Sequence, residues 1–432
     1  MLKTFLLSLS LLTVTLATAK PTPNIIFILA DDLGYGDLGC YGAPDIATPN
    51  LDKLASEGIR FTDAYANGAI CSPTRMAFLT GRYQQRVGME NALTYQEMGR
   101  GIPPGGTTVA TRLKESGYTN GLSGKWHLGY DDNRQPTAQG FDHFFGLLGG
   151  NHHYFQHMDR IGVHDLWRDT ESVKREGYST DLVTEDALAF IEENKENPFF
   201  LYLSHPAPHF PWQGPDDEGK LVEPKKKSWQ TGDRETYIAM VERMDQGIGE
   251  VIDLIDKQGL GENTLIVFTS DNGGHTYSRN TPMRDYKGTL YEGGIRVPCI
   301  ARWTGTIPAG KTTRQVAITM DWSATFARLA GIPADPSVED GIDLTPILTG
   351  EKAPIERTLF WRSRPGPKRK NVEVRRAVRD GAWKLLEIEG QPIQLYNLEL
   401  DIAETTNEAE NHPDLVKTLQ SKITAWEKEV GP

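Results

Sequence analysis

Three unbroken apolar runs punctuate the chain: Asn24-Ile-Ile-Phe-Ile-Leu-Ala30, Pro198-Phe-Phe-Leu-Tyr-Leu-Ser204 and Thr264-Leu-Ile-Val-Phe-Thr-Ser270. Apolar residues without alternation mark strands buried on both faces. Between the runs the apolar period becomes helical. Asp181 to Glu193 places Leu182, Val183, Ala187, Phe190 and Ile191 on one stripe, and Glu235 to Gln258 does so with Val241, Met244, Ile248, Val251, Ile252 and Ile255. Shorter helices are predicted from Thr48 to Gly58, with Thr48 as cap and Gly58 as terminator, from Val109 to Ser116 and from Trp322 to Leu329. Gly58 to Tyr65 reads as a strand. The tail reads as a small α+β unit, with strands near 358–362, 375–379, 383–387 and 394–397 and a helix from Pro413 to Val430. The chain is long enough for one large α/β domain with an appendage, or for two domains.

Composition narrows the partners. The 38% hydrophobic and 24% charged fractions are ordinary for a globular protein. A net charge of -12 argues against nucleic acid and repels anions at long range, so an anionic substrate needs a local basic pocket. Residues 1–19 read as a secretory signal: Lys3, an apolar core from Phe5 to Leu16, and the small-residue site Ala17-Thr-Ala19. Cleavage is expected near Ala19, with the mature protein periplasmic or secreted. No other segment is apolar enough to span a membrane. Cys40 and Cys299 could form a disulfide; two buried thiols are favoured, because a domain of this size needs no staple.

The chemistry gathers where the apolar runs end. Asp31-Asp32 and Asp271-Asn272 follow two of them, and oxygen ligands at the C-terminal edge of buried strands suit a hard cation. Cys71-Ser-Pro-Thr-Arg75 reads as a cysteine at a helix mouth, with Pro73 in the first turn, Met76, Phe78 and Leu79 as an apolar face, and Gly81 as the stop. Free backbone N–H groups and the helix dipole favour negative charge there, and Arg75 adds a fixed positive fork. Lys125 and His127, two apart on an extended segment, are expected on one side. Gly34 to Gly42 lacks the lysine pattern of a phosphate loop. Asn151-His-His-Tyr-Phe-Gln-His157 does not have zinc-finger spacing; His152, His153 and Tyr154 are instead candidates for substrate contact, with Trp212. Lys225 to Lys227 is a solvated run, and Met240 and Met244 are core.

Six motifs occur in order: Asp-Asp, Cys-x-Pro-x-Arg, Gly-Lys-Trp-His, Pro208-His-Phe-Pro211, Ser-Asp-Asn-Gly, and Lys287 with Glu292-Gly-Gly-Ile-Arg296-Val-Pro downstream. Together they resemble the type I sulfatases over nearly the whole mature chain. The fold this implies is alkaline-phosphatase-like α/β: a large mixed, mostly parallel sheet sandwiched by helices over residues 20–350, then a small C-terminal α+β subdomain over 351–432. Asn120 departs from the usual Ser or Thr. The resemblance implies hydrolysis of sulfate monoesters, on a sulfated mono-, oligo- or polysaccharide. It also implies a maturation enzyme that oxidises Cys71 to formylglycine, and one Ca2+ held by Asp31, Asp32, Cys71, Asp271 and Asn272. Lys125 and Lys287 would hold the sulfate, and the hydrated formylglycine, oriented by Arg75, would attack sulfur to give a covalent sulfo-enzyme. His209 would protonate the leaving oxygen, while His127 would take a proton from the remaining hydroxyl and so expel sulfate. His205 is expected to pack. Arg296 could reach the substrate or pair with Glu292; the structural role is favoured.

Two other readings stand beside this one. A phosphomonoester or phosphodiester hydrolase of the same superfold would use a similar pocket but generally a second set of metal ligands. A catalytically silent carbohydrate-binding homologue would keep the fold without needing the reactive residues.

Overall fold

The computed structural model describes residues 22–94, 97–220, 222–364 and 373–431. The signal-peptide reading of residues 1–19 lies outside them. A ten-stranded sheet runs in the spatial order Lys311–Thr313, Ile59–Phe61, Cys299–Arg302, Thr264–Ser270, Asn24–Ala30, Phe199–Ser204, Thr119–Lys125, His143–Leu147, Trp167–Arg168 and Glu171–Ser172. The five strands from Thr264–Ser270 to His143–Leu147 are parallel, and Cys299–Arg302 is antiparallel to both neighbours. The mostly parallel sheet between helices is therefore present.

The central strand shows why its run is continuous. Ile25, Phe27 and Leu29 face one core with Met76, Phe78, Leu113 and Phe326. Ile26, Ile28 and Ala30 face the other, with Leu54, Phe190, Met244 and Val251. A strand between two helical layers has no wet face, so alternation disappears. Phe27 stacks on Phe78 at 4.1 Å between ring centroids, tying the strand to the helix Cys71–Thr80.

The helices Ser179–Asn194, Arg234–Lys257 and Met320–Leu329 lie close to their predicted ranges. Three local expectations change. Gly58 to Tyr65 is not one strand: Ile59–Phe61 joins the large sheet, and Ala64–Tyr65 pairs separately with Ala317–Ile318. Thr48 precedes the helix Pro49–Ser56 without capping it through its side chain; its hydroxyl accepts from Gly39 N at 2.9 Å. The strand ends at Lys125, and His127 has φ 60, so the two residues do not share an extended segment. Asn120 is buried and donates to Ala110 O and Gly140 O, fastening the strand to its flanking turn. Gly124 is required, because its φ is +117 and a Cβ there would sit 1.9 Å from Ser204 O on the neighbouring strand.

Beyond the main sheet, Thr358–Ser363, Arg375–Asp380, Trp383–Ile388 and Gln394–Asn397 form a four-stranded antiparallel meander. One face packs Val378, Leu385 and Leu395 on Leu419 and Ile423 of the helix Pro413–Val430. The other packs Leu359, Trp361, Ala377 and Leu386 on Tyr65, Leu290 and Ile295 of the main body. The meander is thus packed on both faces, against the C-terminal helix on one and the main body on the other. Cys40 and Cys299 are free; Cys299 is buried and Cys40 half-buried. Among the described residues no helix is long and apolar enough to cross a membrane.

Candidate active site

The parallel strands deliver their chemistry to one edge. Asp31-Asp32 follows Ala30, Asp271-Asn272 follows Ser270, Lys125 ends its strand, and the loop carrying His209 follows Ser204. Against this edge the helix Cys71–Thr80 points its N-terminus, with extended Ile70 before it and Gly81 closing it at φ 66. Cys71 Sγ–H donates to Asp31 Oδ1 at 3.6 Å, and Lys287 Nζ donates to Cys71 Sγ at 3.3 Å. Ligand atoms of Asp31, Asp32, Cys71 and His209 all lie within 4.8 Å of one another.

Each acid has a cation. Lys125 pairs with Asp31, and Lys287 with Asp32 at 2.6 Å. Arg75 forks onto Asp271 Oδ2 through Nε at 3.1 Å and Nη2 at 2.9 Å, and its Nη1 donates to Lys125 O and Ser204 Oγ. Arg75 therefore buttresses Asp271 and the Lys125 strand end. Asp271 Oδ1 accepts from Asp32 N. Asn272 Nδ2 donates to Asp32 Oδ1 at 2.8 Å, while its buried Oδ1 has no donor. Hard oxygen donors with a spare amide oxygen beside them fit a bound cation. The closest ligand set includes His209 beside the expected Asp31, Asp32 and Cys71; Asp271 and Asn272 flank it through Asp32.

The histidines are held with one nitrogen each. His209 bonds Phe210 O through Nδ1 at 2.6 Å, and its Nε2 lies 3.5 Å from Asp32. His127 bonds Leu93 O through Nε2 at 3.1 Å, leaving a buried, unpartnered Nδ1. Gly150 is needed there, since a Cβ would meet the His127 ring at 2.8 Å. Asp32 and His127 are both non-glycine residues with positive φ, 68 and 60, so each turns the chain sharply at this edge. His205 is fully buried, and neither ring nitrogen has a partner.

Burial opposes the charge of Asp32, but Lys287 and His209 outweigh it and hold the carboxyl below its usual range. Burial and the neighbouring Asp31 raise Asp271, against Arg75 and Lys125. Burial pushes the Cys71 thiol up to about 12 in spite of Lys125 and Lys287, so at neutral pH the unmodified side chain is a protonated thiol and a weak nucleophile. Burial lowers His127 and His209 well below the ordinary imidazole value, and Lys125 pushes both the same way.

The other sequence candidates sit around this group. His152 bonds Asp165 O and Ser179 Oγ, His153 bonds Phe155 N, Gln156 N and Gln213, and Tyr154 OH donates to Pro206 O and His209 O. Tyr154 thus braces the His209 loop. Trp212 is buried against Phe210, His275 and Tyr277. Arg296 belongs to a different cluster, where it meets Asp63, Glu292 and Thr62 O. Sequence reasoning passed over His275, half-buried and within electrostatic reach of Asp32 and Lys287, and Ser204, which binds Arg75. Position was the available signal: Ser204 ends the second apolar run, and His275 follows Asp271-Asn272-Gly-Gly.

A profile for the family described as Sulfatase matches residues 23–332. A second, described as N-sulphoglucosamine sulphohydrolase, C-terminal, matches residues 285–429. The chain is 37% identical over 382 residues to N-acetylgalactosamine-6-sulfatase of Rattus norvegicus, covering 82% of this chain and 70% of that protein. It is 35% identical over 405 residues to arylsulfatase A of Homo sapiens, covering 85% and 75% respectively. The solved structure of Ps i-CgsB in complex with k-i-k-neocarrahexaose aligns with a TM-score of 0.85 and 35% identity, over 94% of this chain and 92% of that one.

Proposed function

The chain belongs to the sulfatase family, and from that premise we propose that it hydrolyses sulfate monoesters on a carbohydrate, with Cys71 matured to formylglycine and one Ca2+ in the acidic cluster. The observation that carries the reading is Cys71 at a helix N-terminus, with Sγ between Asp31 and Lys287 in a buried group that includes Asp32 and His209. Asp31, Asp32, Asp271 and Asn272 would hold the Ca2+, which when bound supplies a fixed positive charge facing the sulfate oxygens. Formylglycine, as its hydrate, supplies the hydroxyl that attacks sulfur and the aldehyde that is restored when sulfate leaves.

The remaining work falls to this chain's side chains. Lys125 and Lys287 bind sulfate oxygens and stabilise the charge that develops on them. Arg75 holds Asp271 in place and favours its charge against burial and Asp31. His209 Nδ1–H donates to Phe210 O, so Nε2 carries a proton for the departing alcohol as the imidazolium, a form that Asp32 at 3.5 Å favours against burial. In His127 Nε2–H donates to Leu93 O, and Nδ1 keeps a lone pair for proton uptake when sulfate is expelled; burial and Lys125 favour the neutral ring there. Asp32 beside one ring, and Lys125 acting on the other, suit a reaction that needs an acid first and a base second.

The sulfated carbohydrate reading draws on the amino-sugar sulfatases among the relatives and on the oligosaccharide in the similar structure. Phe210 and His275, half-buried and backed by the buried Trp212, form one wall for the sugar. His152, His153 and Tyr154 act through shape, since they are buried with their polar atoms engaged with protein, while Arg296 stands in the separate cluster with Asp63 and Glu292. Export through residues 1–19, maturation by a formylglycine-generating enzyme, and a division into residues 20–350 and 351–432 complete the proposal.

Mass spectrometry of the Cys71 peptide from the native host, together with sulfate release from a panel of sulfated mono- and oligosaccharides, tests it. The expected result is an aldehyde at position 71, desulfation of a sugar, and loss of that activity in Cys71→Ala. An unmodified thiol in an active enzyme, or faster release from phosphate than from sulfate esters, overturns the mechanism or the substrate class respectively.

A further inference from the structure

Lys287 lies in a segment with no regular structure of its own between Arg284 and Glu292. It must nevertheless place its ammonium 2.6 Å from Asp32 and 3.3 Å from Cys71 Sγ. Inside the main body the segment is tied by Lys287 N to Gly274 O and by Gly288 N to Ala69 O. Asn280 Nδ2 also donates to Asp285 O, and Tyr65 OH and Arg296 donate to Glu292. Further ties come from the C-terminal meander and the loop that follows it. Arg375 Nη1 donates to Gly288 O at 2.7 Å. Lys384 Nζ, fully buried, pairs with Glu292 at 2.8 Å and Glu404 at 2.9 Å. Glu404 accepts from Glu292 N at 2.6 Å, and its carbonyl accepts from Arg284 at 2.9 Å. Tyr291 OH donates to Gln394 at 2.7 Å.

The ties bracket Lys287. Arg284 lies before it, Tyr291 and Glu292 after it, and Gly288 is the next residue. Gly288 has φ +88, a conformation open mainly to glycine, and nothing stands within 4 Å of where its Cβ would be. The backbone beside the lysine is held on its N–H side by Gly274 O and Ala69 O, and the Arg375 guanidinium holds the Gly288 carbonyl. An ammonium on a four-carbon stem needs such restraint, because misplacement by about 1 Å costs on the order of 10²-fold in rate.

We propose that the C-terminal meander positions Lys287 for sulfate binding, and that Arg375 is the positioning residue through which it acts, by way of the Gly288 carbonyl. The proposal rests on the assignment of Lys287 as a sulfate-binding group. It gives the meander a part in turnover although Arg375 itself does not touch the nucleophile. Half-buried on its strand, Arg375 can be altered without opening a core.

The test is a double-mutant cycle in the full-length matured enzyme, with a sulfated sugar or an aryl sulfate. Arg375→Met is expected to lower kcat/KM about tenfold and to weaken inhibition by inorganic sulfate by a similar factor, with Arg375→Lys recovering most of both. In a Lys287→Ala background Arg375→Met should have no further effect. Arg376→Met is the control: this neighbour on the same strand pairs with Glu427 on the C-terminal helix, and its loss should leave kcat/KM unchanged. An undiminished Arg375→Met effect in Lys287→Ala, an equal effect of Arg376→Met, or no effect at all overturns the positioning role while leaving the sulfatase reading intact. A wild-type enzyme that releases no sulfate from any ester overturns both.

Discussion

Two buried charge clusters in this molecule have the same arithmetic and opposite behaviour. At the strand ends, Asp31, Asp32 and Asp271 face Arg75, Lys125 and Lys287. At the junction with the meander, Asp63, Glu292 and Glu404 face Arg296, Arg379 and Lys384. In the second cluster the acids are cross-bonded: Asp63 meets two arginines, and Glu292 meets Arg296, Lys384 and Tyr65 OH. There Glu404 Oε1 makes no hydrogen bond but is ion-paired with Lys384 at 2.9 Å. In the first, Asn272 Oδ1 and His127 Nδ1 are buried with neither hydrogen bond nor ion pair, and Cys71 stands among the charges. Three against three does not make an active site. Spare donor and acceptor capacity beside the charges does, because a ligand can then repay the desolvation already incurred.

Removing a cation from each cluster is the strongest way to break the comparison. Lys125→Ala should cut kcat/KM by about 10³-fold, roughly 4 kcal/mol of transition-state stabilisation. Steady-state kinetics measure it; a Lys384→Met protein that folds and loses turnover as completely would erase the distinction. Next in size, Lys384→Met strands Glu292 and Glu404 and should destabilise the fold by about 3–5 kcal/mol in urea titration. Lys384→Met/Glu404→Leu should lose less than Lys384→Met alone, since it removes one stranded acid with the lysine.

Metal dependence sharpens the contrast. Calcium at about 100 times its Kd should stabilise the protein by roughly 2.7 kcal/mol over the chelated form. Thermal melts with and without chelator should lose this difference in Asp32→Asn and keep it in Glu292→Gln. The reverse pattern would place the cation in the wrong cluster.

The smallest effect is in pH. Burial, with Glu292 nearby, raises Glu404 to about 6 despite Lys384. The folded state then holds that proton more tightly than the unfolded chain does. Its contribution is present below the ordinary glutamate value and is lost as pH rises toward 6. Glu292 is the opposite case: burial resists its charge, but Lys384, Arg296 and Arg379 lower its pKa, so its contribution is lost as pH falls below the ordinary range. Glu404→Gln should therefore flatten the stability profile between about pH 4.5 and 6 by on the order of 1 kcal/mol. A urea midpoint that keeps its slope in that window would assign the effect to another group.

Much of this was legible in the letters. The run from Asn24 to Ala30 is buried throughout as a central strand, and Pro413 to Val430 is a helix at the predicted boundaries. Continuous apolar runs and a 3.6 period are local signals, and the acids that follow the runs come to one edge because the strands are parallel. His127 was harder. A period of two assumes extended backbone, whereas the chain turns there to φ 60, with Leu93 O bonding the ring and Gly150 leaving room for it. Arg296 pairs with Glu292 as favoured from the sequence, but its second acid, Asp63, lies far away in the chain and was not legible there. His275 carries no motif, and only the packing of its loop brings it near Asp32 and Lys287.

By itself the sequence determined the α/β class and the order of the strand ends, and its resemblance to the sulfatases nominated Cys71, Arg75, Lys125, His127, His209 and Lys287 as the reactive set proposed above. The first two follow from local apolar pattern, and the nomination from motifs whose members are close neighbours in the chain. Tertiary structure decided which charge satisfies which, which nitrogen of each histidine is free, and that strands from the last fifth of the chain hold the loop of Lys287. Those are pairings across tens to hundreds of residues. Only the folded geometry fixes them, since in a buried cluster each ion's partner is set by which neighbours packing leaves within reach.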